Sequence, residues 1–391
     1  AEGTERFGEL AAKEFAHYDP DELVAAPSRR KFLQLMSASM ALAGATALPG
    51  CRRWPEQKVA PYARRPEGRI PGVSEYYATA MEVGGVAQPV LVASYDGRPI
   101  KVEGNPDHAS SGGATNLWAQ ASVLGLYDPD RSRQVLKGGQ ASDWADFEAF
   151  AKALPAKGRG LAILSEATSS PTFASLTKLL PQARWFTYEP VNRDNEIAGS
   201  KLAFGKAYRT HLHLDKADVI VCLDADPLGL HPAAVRYASD WAQGRKQVDD
   251  KPVGNAVRKI SRLYSAEPAW STTGSVADAR LAARGSRVGL IAQHIYDAVV
   301  GDKADLGLTA EESDFAKHLI DDLAHAKGKS VVVAGPGQPA LVHALCHAIN
   351  GKLNKVGSTV TYTQEMAQGE QTSQITELAD KLVRDLTSAE D

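Results

Sequence analysis

The chain predicts an α/β fold in which a small β-rich domain precedes a doubly wound, parallel-sheet domain. Short apolar runs at Leu161–Ser165, Trp185–Tyr188, Val219–Asp224 and Ser330–Ala334 read as buried parallel strands, and helical stretches such as 170–180 and 338–350 follow them. Upstream, Asp96-Gly97 lies between two apolar runs and predicts a β-hairpin. With 391 residues, 43% of them apolar and 23% charged, the chain is globular in class and long enough for two or three domains with cores of their own. A net charge of -3 with mixed signs gives no reason to expect nucleic acid or an acidic substrate.

The first elements are addresses and spacers. Residues 1–27 are polar and form an N-terminal extension. Residues 28–51, SRRKFLQLMSASMALAGATALPGC, read as an export signal of the twin-arginine kind: Arg29 and Arg30 are followed at fixed offset by Phe32 and Leu33, then by a weakly apolar run ending at Leu48. That run is diluted by Ser37, Ser39, Gly44 and Thr46 and falls short of the roughly 20 apolar residues of a spanning helix. Leu48-Pro49-Gly50-Cys51 resembles a lipobox, which makes Cys51 the expected lipidation site, although Pro49 stands where a small or hydroxyl residue is usual. Export in a folded state suits a redox protein or a relative of one. Residues 52–75, with Pro55, Pro61, Pro66 and Pro71 among basic residues, read as an extended tether. No other segment approaches spanning length, so membrane attachment is expected through the N-terminus, a lipid or partner subunits.

Residues 76–135 form the expected small β-rich domain, with strands at 89–95 and 100–103 and an apolar run from Leu117 to Leu126. The order Val90-Leu91-Val92, Asp96-Gly97-Arg98-Pro99-Ile100-Lys101-Val102-Glu103-Gly104-Asn105-Pro106-Asp107-His108 and then YDPDR resembles the N-terminal domain of molybdopterin oxidoreductases. That resemblance implies a cysteine-rich hairpin before the first strand and a further cysteine between NPDH and YDPDR. Here Tyr77–Val86 reads YATAMEVGGV and Thr115–Trp118 reads TNLW. Without thiolates in those slots an iron–sulfur cluster is not expected in this domain. Together with the export signal, and with ADVIVCLDADPLG, AVRYASDWA and VGSTVTYT downstream, the chain is similar to the large iron–sulfur subunit of alternative complex III. The resemblance implies a quinol-oxidising respiratory complex at the periplasmic face of the bacterial inner membrane, with a quinol-oxidising membrane subunit and cytochrome c-type subunits as partners. It also implies that no cofactor is bound by this segment, and that the iron–sulfur clusters lie in a cysteine-rich module beyond Asp391.

Residues 136–391 form the expected Rossmann-like domain, with further helices at 233–243 and 286–300 and a polar loop at 245–258. Ligands in such sheets bind beyond the carboxyl ends of the strands, which singles out Ser165–Ser170, Asp224–Gly229 and Gly335–Gln338. Gly335-Pro336-Gly337-Gln338 reads either as a phosphate-facing turn or as a tight strand-to-helix connection. Asp224 and Asp226 read as metal carboxylates or as loop and helix caps. His343, Cys346 and His347 share one helix and read as ligands or as the margins of a helix packed through Leu341, Leu345 and Ile349. His211 and His213 carry the same two readings. Of three cysteines, Cys222 lies in an apolar run and reads as a buried hydrophobe. No nucleophile–base pair stands out, and no catalytic, cofactor-binding or metal residue is assigned. Two functions remain: a non-catalytic scaffold within a respiratory complex, or an active exported molybdopterin oxidoreductase.

Overall fold

The computed structural model describes residues 30, 33, 34, 36, 37, 67–70, 72–83, 85–246, 260–302, 304–326, 328–365, 370–372 and 379–380. The chain divides into two units, Ala1–Arg69 and Ile70–Asp391. In the first, Arg30 and Leu33 lie in helical backbone with exposed side chains, while Arg29, Phe32 and Cys51 fall outside the described residues. Every element named below belongs to the second.

That unit opens with an antiparallel sheet of β1 (Glu75–Val83), β2 (Val86–Tyr95) and β3 (Arg98–Gly104), in the order β1-β2-β3. The β2–β3 turn is the predicted Asp96-Gly97, with both residues at positive φ. The first strand is an addition to the sequence reading, which begins its strands at 89: β1 is exposed on both faces over Tyr77–Ala80 and so leaves no apolar alternation to detect. The short helix α1 (Leu117–Ala121), capped by Asn116 accepting from the Ala119 N–H at 2.8 Å, closes a small core of Val90, Val102 and Ala119. A hairpin of β4 (Val135–Lys137) and β5 (Gln140–Ser142) leads into α2 (Trp144–Ala153).

The α/β part follows, built on two parallel sheets. β6 (Ala162–Ser165), α3 (Pro171–Thr177) and β7 (Arg184–Tyr188) make a βαβ unit, with β7 between β6 and β14 (Glu370–Thr372). α4 (Asp194–Phe204) leads to β8 (Tyr208–Leu212), which pairs antiparallel with β13 (Val360–Gln364). The central sheet has the order β11-β10-β9-β12, all parallel, from β9 (Val219–Leu223), β10 (Arg262–Glu267), β11 (Ala279–Ala282) and β12 (Ser330–Ala334). Its helices are α5 (Ala234–Arg245), α6 (Thr272–Ser275), α7 (Gly285–Val300), α8 (Ala310–His325) and α9 (Ala340–Lys352).

All five residues of β9 are buried because its two faces belong to different cores. Val219, Val221 and Leu223 pack with α7, α8 and α9 through Val288, Ile291, Leu319 and Ile349, while Ile220 and Cys222 pack with Leu212, Tyr237 and Val360. Alternation of side chains along a strand covered on both sides produces the continuous apolar run read in the sequence. The chain winds from β9 outward through β10 and β11, then returns to place β12 on the other flank of β9. This reversal sets the carboxyl ends of β9 and β12 side by side, the crevice position at which doubly wound sheets take ligands.

Candidate functional site

Two of the three expected loops meet at this crevice. The chain leaves β9 through Asp224 at φ 56 and leaves β12 through Gly335, whose N–H donates to the Leu223 carbonyl at 2.9 Å. A β-carbon on Gly335 would overlap the Asp224 carbonyl, so the glycine is required by backbone approach. Gln338 is buried, and its Nε2 donates to Asp224 Oδ2 at 2.8 Å and to the Gly285 carbonyl at 3.3 Å. Asn195 Nδ2 donates to the Pro336 carbonyl at 3.1 Å.

Asp226 serves as a loop and helix cap, at the first turn of α6 and not of α5. Its Oδ1 accepts from the N–H and hydroxyl of Thr273 at 2.9 and 2.6 Å, and its Oδ2 accepts from the Leu230 N–H at 3.0 Å, which pins the β9–α5 loop to α6. Buried Glu267, at the end of β10, accepts from the Ser271 hydroxyl at 2.5 Å and from Arg280 Nε at 2.6 Å. Arg280 in turn lies 3.8 Å from the ring centroid of exposed Trp270. Sequence periodicity missed this carboxylate because β10, RLYSAE, mixes polar and apolar residues that are all buried after Arg262.

A dinucleotide-type pterin cofactor carries a pyrophosphate, which needs free backbone N–H groups and cationic side chains. Along the carboxyl ends of the central sheet the donors of Gln338, Thr273, Leu230, Ser271 and Arg280 are committed to Asp224, Asp226 and Glu267. None of these five donors is left for such a group. Sulfur ligands are equally unsuited: Cys222 and Cys346 are buried, and burial pushes both thiols up, Cys346 to about 12.

The third loop, Ser165–Ser170, lies at the other parallel sheet. There Glu82 of β1 accepts from Thr168 Oγ1 at 2.7 Å, from Ser169 Oγ at 2.8 Å and from the Ser169 N–H. Burial works against its charge, yet these hydrogen bonds hold Glu82 below the usual carboxylate range. Arg209 Nη1 donates to the Gly85 carbonyl at 2.7 Å, so the β1–β2 turn is fastened across the carboxyl end of β6. Gln88 Nε2, donating to the Pro232 carbonyl at 3.0 Å, and Arg236 Nη1, donating to the Ala109 carbonyl at 2.8 Å, complete the attachment of the small sheet to the α/β layers.

The histidines on α9 correct the sequence reading. His343 and His347 lie inside, 4% and 7% exposed, whereas Leu341 is 61% exposed. The cause is α4, which packs on this face so closely that a β-carbon on Gly199 would overlap His343 Cβ. His347 Nδ1 lies 3.0 Å from the Tyr362 hydroxyl with Phe204 against its ring. Burial lowers its pKa to about 4, and His231 is lowered to about 4 for the same reason. His211 and His213 lie 2.7 and 3.0 Å from the hydroxyls of Thr363 and Thr361, linking β8 to β13. Among the described residues no group of three or more histidine, cysteine or acidic side chains is placed to hold a metal.

No family model matches the chain. Over 68 residues, 17% of the chain, it is 38% identical to the menaquinone reductase, molybdopterin-binding-like subunit of Nitratidesulfovibrio vulgaris, and the match spans 10% of that relative. Acetylene hydratase from Pelobacter acetylenicus aligns structurally over 71% of this chain and 43% of its own, with a TM-score of 0.45 and 11% identity. The formyltransferase/hydrolase complex from Methylorubrum extorquens aligns over 56% of this chain and 57% of that one, with a TM-score of 0.37 and 19% identity. The similarity to the curated relative supports a molybdopterin oxidoreductase-like protein at that coarse level.

Proposed function

We propose that the chain is a non-catalytic, molybdopterin oxidoreductase-like scaffold within a membrane-bound respiratory complex of the alternative complex III type. The observation that carries this is at the carboxyl ends of the central sheet, where the side-chain donors of Gln338, Thr273, Ser271 and Arg280 are spent on Asp224, Asp226 or Glu267. The 38% identical stretch shared with a menaquinone reductase subunit supports a respiratory setting. Export by the twin-arginine route, lipidation of Cys51 and a place on the periplasmic face, beside a quinol-oxidising membrane subunit and cytochrome c-type subunits, belong to the same proposal.

Elemental analysis of the purified chain tests it, with molybdenum and iron both expected far below one atom per chain. Asp226→Asn, which keeps the shape of the side chain, is expected to leave quinol oxidation by the assembled complex within about twofold of the wild type. Stoichiometric molybdenum, or a hundredfold loss of turnover with normal assembly, equivalent to about 2.7 kcal/mol of barrier, would establish a working site and overturn the scaffold reading.

A further inference from the structure

At the carboxyl ends of β6 and β7 a second constellation lies outside the crevice just described. Arg193 grips Glu196 in a two-pronged ion pair, Nε to Oε2 at 2.8 Å and Nη2 to Oε1 at 2.7 Å. The remaining Nη1 of Arg193 points to Glu365 Oε2 at 3.2 Å. From the other side Arg209 reaches Glu365 with Nη2 to Oε1 at 2.7 Å and Nε to Oε2 at 3.4 Å. Both guanidinium groups are mostly buried, with side chains 16% and 19% exposed, and the Glu365 side chain is 7% exposed. A cavity adjoins them, bounded by Ala167, Thr187, Glu189 and Asn192.

We propose that Arg193 and Arg209 form an oxyanion-binding clamp at the carboxyl ends of β6 and β7, sized for a carboxylate or phosphate group, in which the chain's own Glu365 acts as a built-in ligand. The pairing of the ions supports it. Glu196 takes both prongs of Arg193, and Glu365 is the carboxylate that the remaining Arg193 Nη1 and Arg209 share. Among the described residues three further acidic groups stand nearby without a hydrogen bond to either guanidinium: Glu82 accepts from Thr168 and Ser169, Glu189 Oε1 accepts from the Ala167 N–H at 2.8 Å, and Asp194 lines the cavity. Place supports it as well, since the carboxyl ends of parallel strands are where such sheets receive ligands. Glu365 enters from far along the chain, 172 residues from Arg193 and 156 from Arg209, directly after β13. Its removal therefore leaves the clamp on its own elements, and two planar forks facing one carboxylate would face an incoming oxyanion in the same way.

The inference deepens the scaffold reading, because a second ligand position would also be filled from within, but it stands on its own geometry. The test is chemical rescue in the full chain. Thermal unfolding of wild type, Glu365→Ala and the double variant Glu365→Ala/Arg209→Met is followed by circular dichroism at constant ionic strength, with chloride exchanged for propionate in one series and for inorganic phosphate in another. Glu365→Ala is expected to melt below wild type and to regain about 3 °C as either anion saturates. Wild type, whose tethered carboxylate outcompetes free anions, and the double variant, which has lost half the clamp, are expected not to respond. Rescue by propionate alone assigns a carboxylate ligand, and rescue by phosphate assigns a phosphate-bearing one. If Glu365→Ala folds only when either anion is present, the clamp is likewise established. The proposal fails if Glu365→Ala responds no more than wild type, or if the double variant responds equally. It also fails if Glu365→Ala does not fold in either anion and isosteric Glu365→Gln shows no anion-dependent shift. Molybdenum in the purified chain would overturn the scaffold reading and leave the rescue result untouched.

Discussion

Lys355 is 1% exposed, and no hydrogen bond or ion pair of its ammonium is seen among the described residues. Burial alone pushes its pKa below the ordinary lysine value, so folding partly desolvates the cation. Lys355→Met, similar in length and without charge, is expected to raise stability by about 1–3 kcal/mol, read as an increased midpoint in urea. A loss of stability would mean that the ammonium has a partner. His231 and His347 give a second test at the residue scale. Both are lowered to about 4 by burial, against about 6.5 when unfolded, so between those values the unfolded chain binds more protons than the folded one. Their contribution is present above pH 6.5 and is lost as pH falls toward 4. His347→Gln is expected to flatten the fall in melting temperature across that window, and an unchanged slope would show that His347 is not one of the groups responsible.

Among the elements, α8 shows most directly how local signals set a boundary. Thr309 accepts from the Glu312 N–H at 3.2 Å while Glu312 Oε2 accepts from the Thr309 N–H at 2.8 Å, a reciprocal capping box. Arg287 of α7 adds a two-pronged pair to the same carboxylate, with Nε to Oε1 at 2.9 Å, and holds Glu312 down to about 2. Thr309→Ala is expected to cost about 1 kcal/mol in urea unfolding, with the fold unchanged. A neutral result would place the anchoring of α8 in its buried face, Ala316, Leu319 and Leu323, rather than in its cap. The sequence reading did not single out this helix, although Thr309 followed three residues later by Glu312 is a legible start signal. By contrast α9 was legible as a helix and illegible in orientation, because its histidine face is buried by Tyr362 of β13 and by α4, which lies far away in sequence.

Across the molecule, carboxylates and their donors are brought together over long sequence distances. Asp224 meets Gln338 across 114 residues, Asp226 meets Thr273 across 47, and Glu82 meets Thr168 across 86. Each of these pairs lies at the carboxyl end of a parallel sheet, where donors would otherwise be free for a ligand. The Glu82–Thr168 bond also joins the small sheet to the loop after β6, while the other two pairs close the loops of the central sheet on one another. A scaffold needs that kind of internal closure: fixed surfaces held together without help from a bound group.

The sequence by itself determined the α/β class, the central strand β9 and the Asp96-Gly97 hairpin, because continuous burial and two-residue turns leave local patterns. It also determined which loops lie at the carboxyl ends of strands, since that follows from strand order along the chain. β1, β8, β10, β11 and β13 were not legible. In β1, β10 and β11 exposed or mixed residues blur the period of two, β8 and β13 alternate over only five residues each, and neighbouring strands decide which side chains are covered. Only the tertiary structure decided that the Asp224 and Gly335 loops share a crevice while Ser165–Ser170 faces Glu82, and that Glu365 fills the Arg193–Arg209 clamp. Such pairings are set by the order in which strands are laid into sheets. A carboxylate and its donors separated by 47 to 172 residues leave no spacing in the sequence to find.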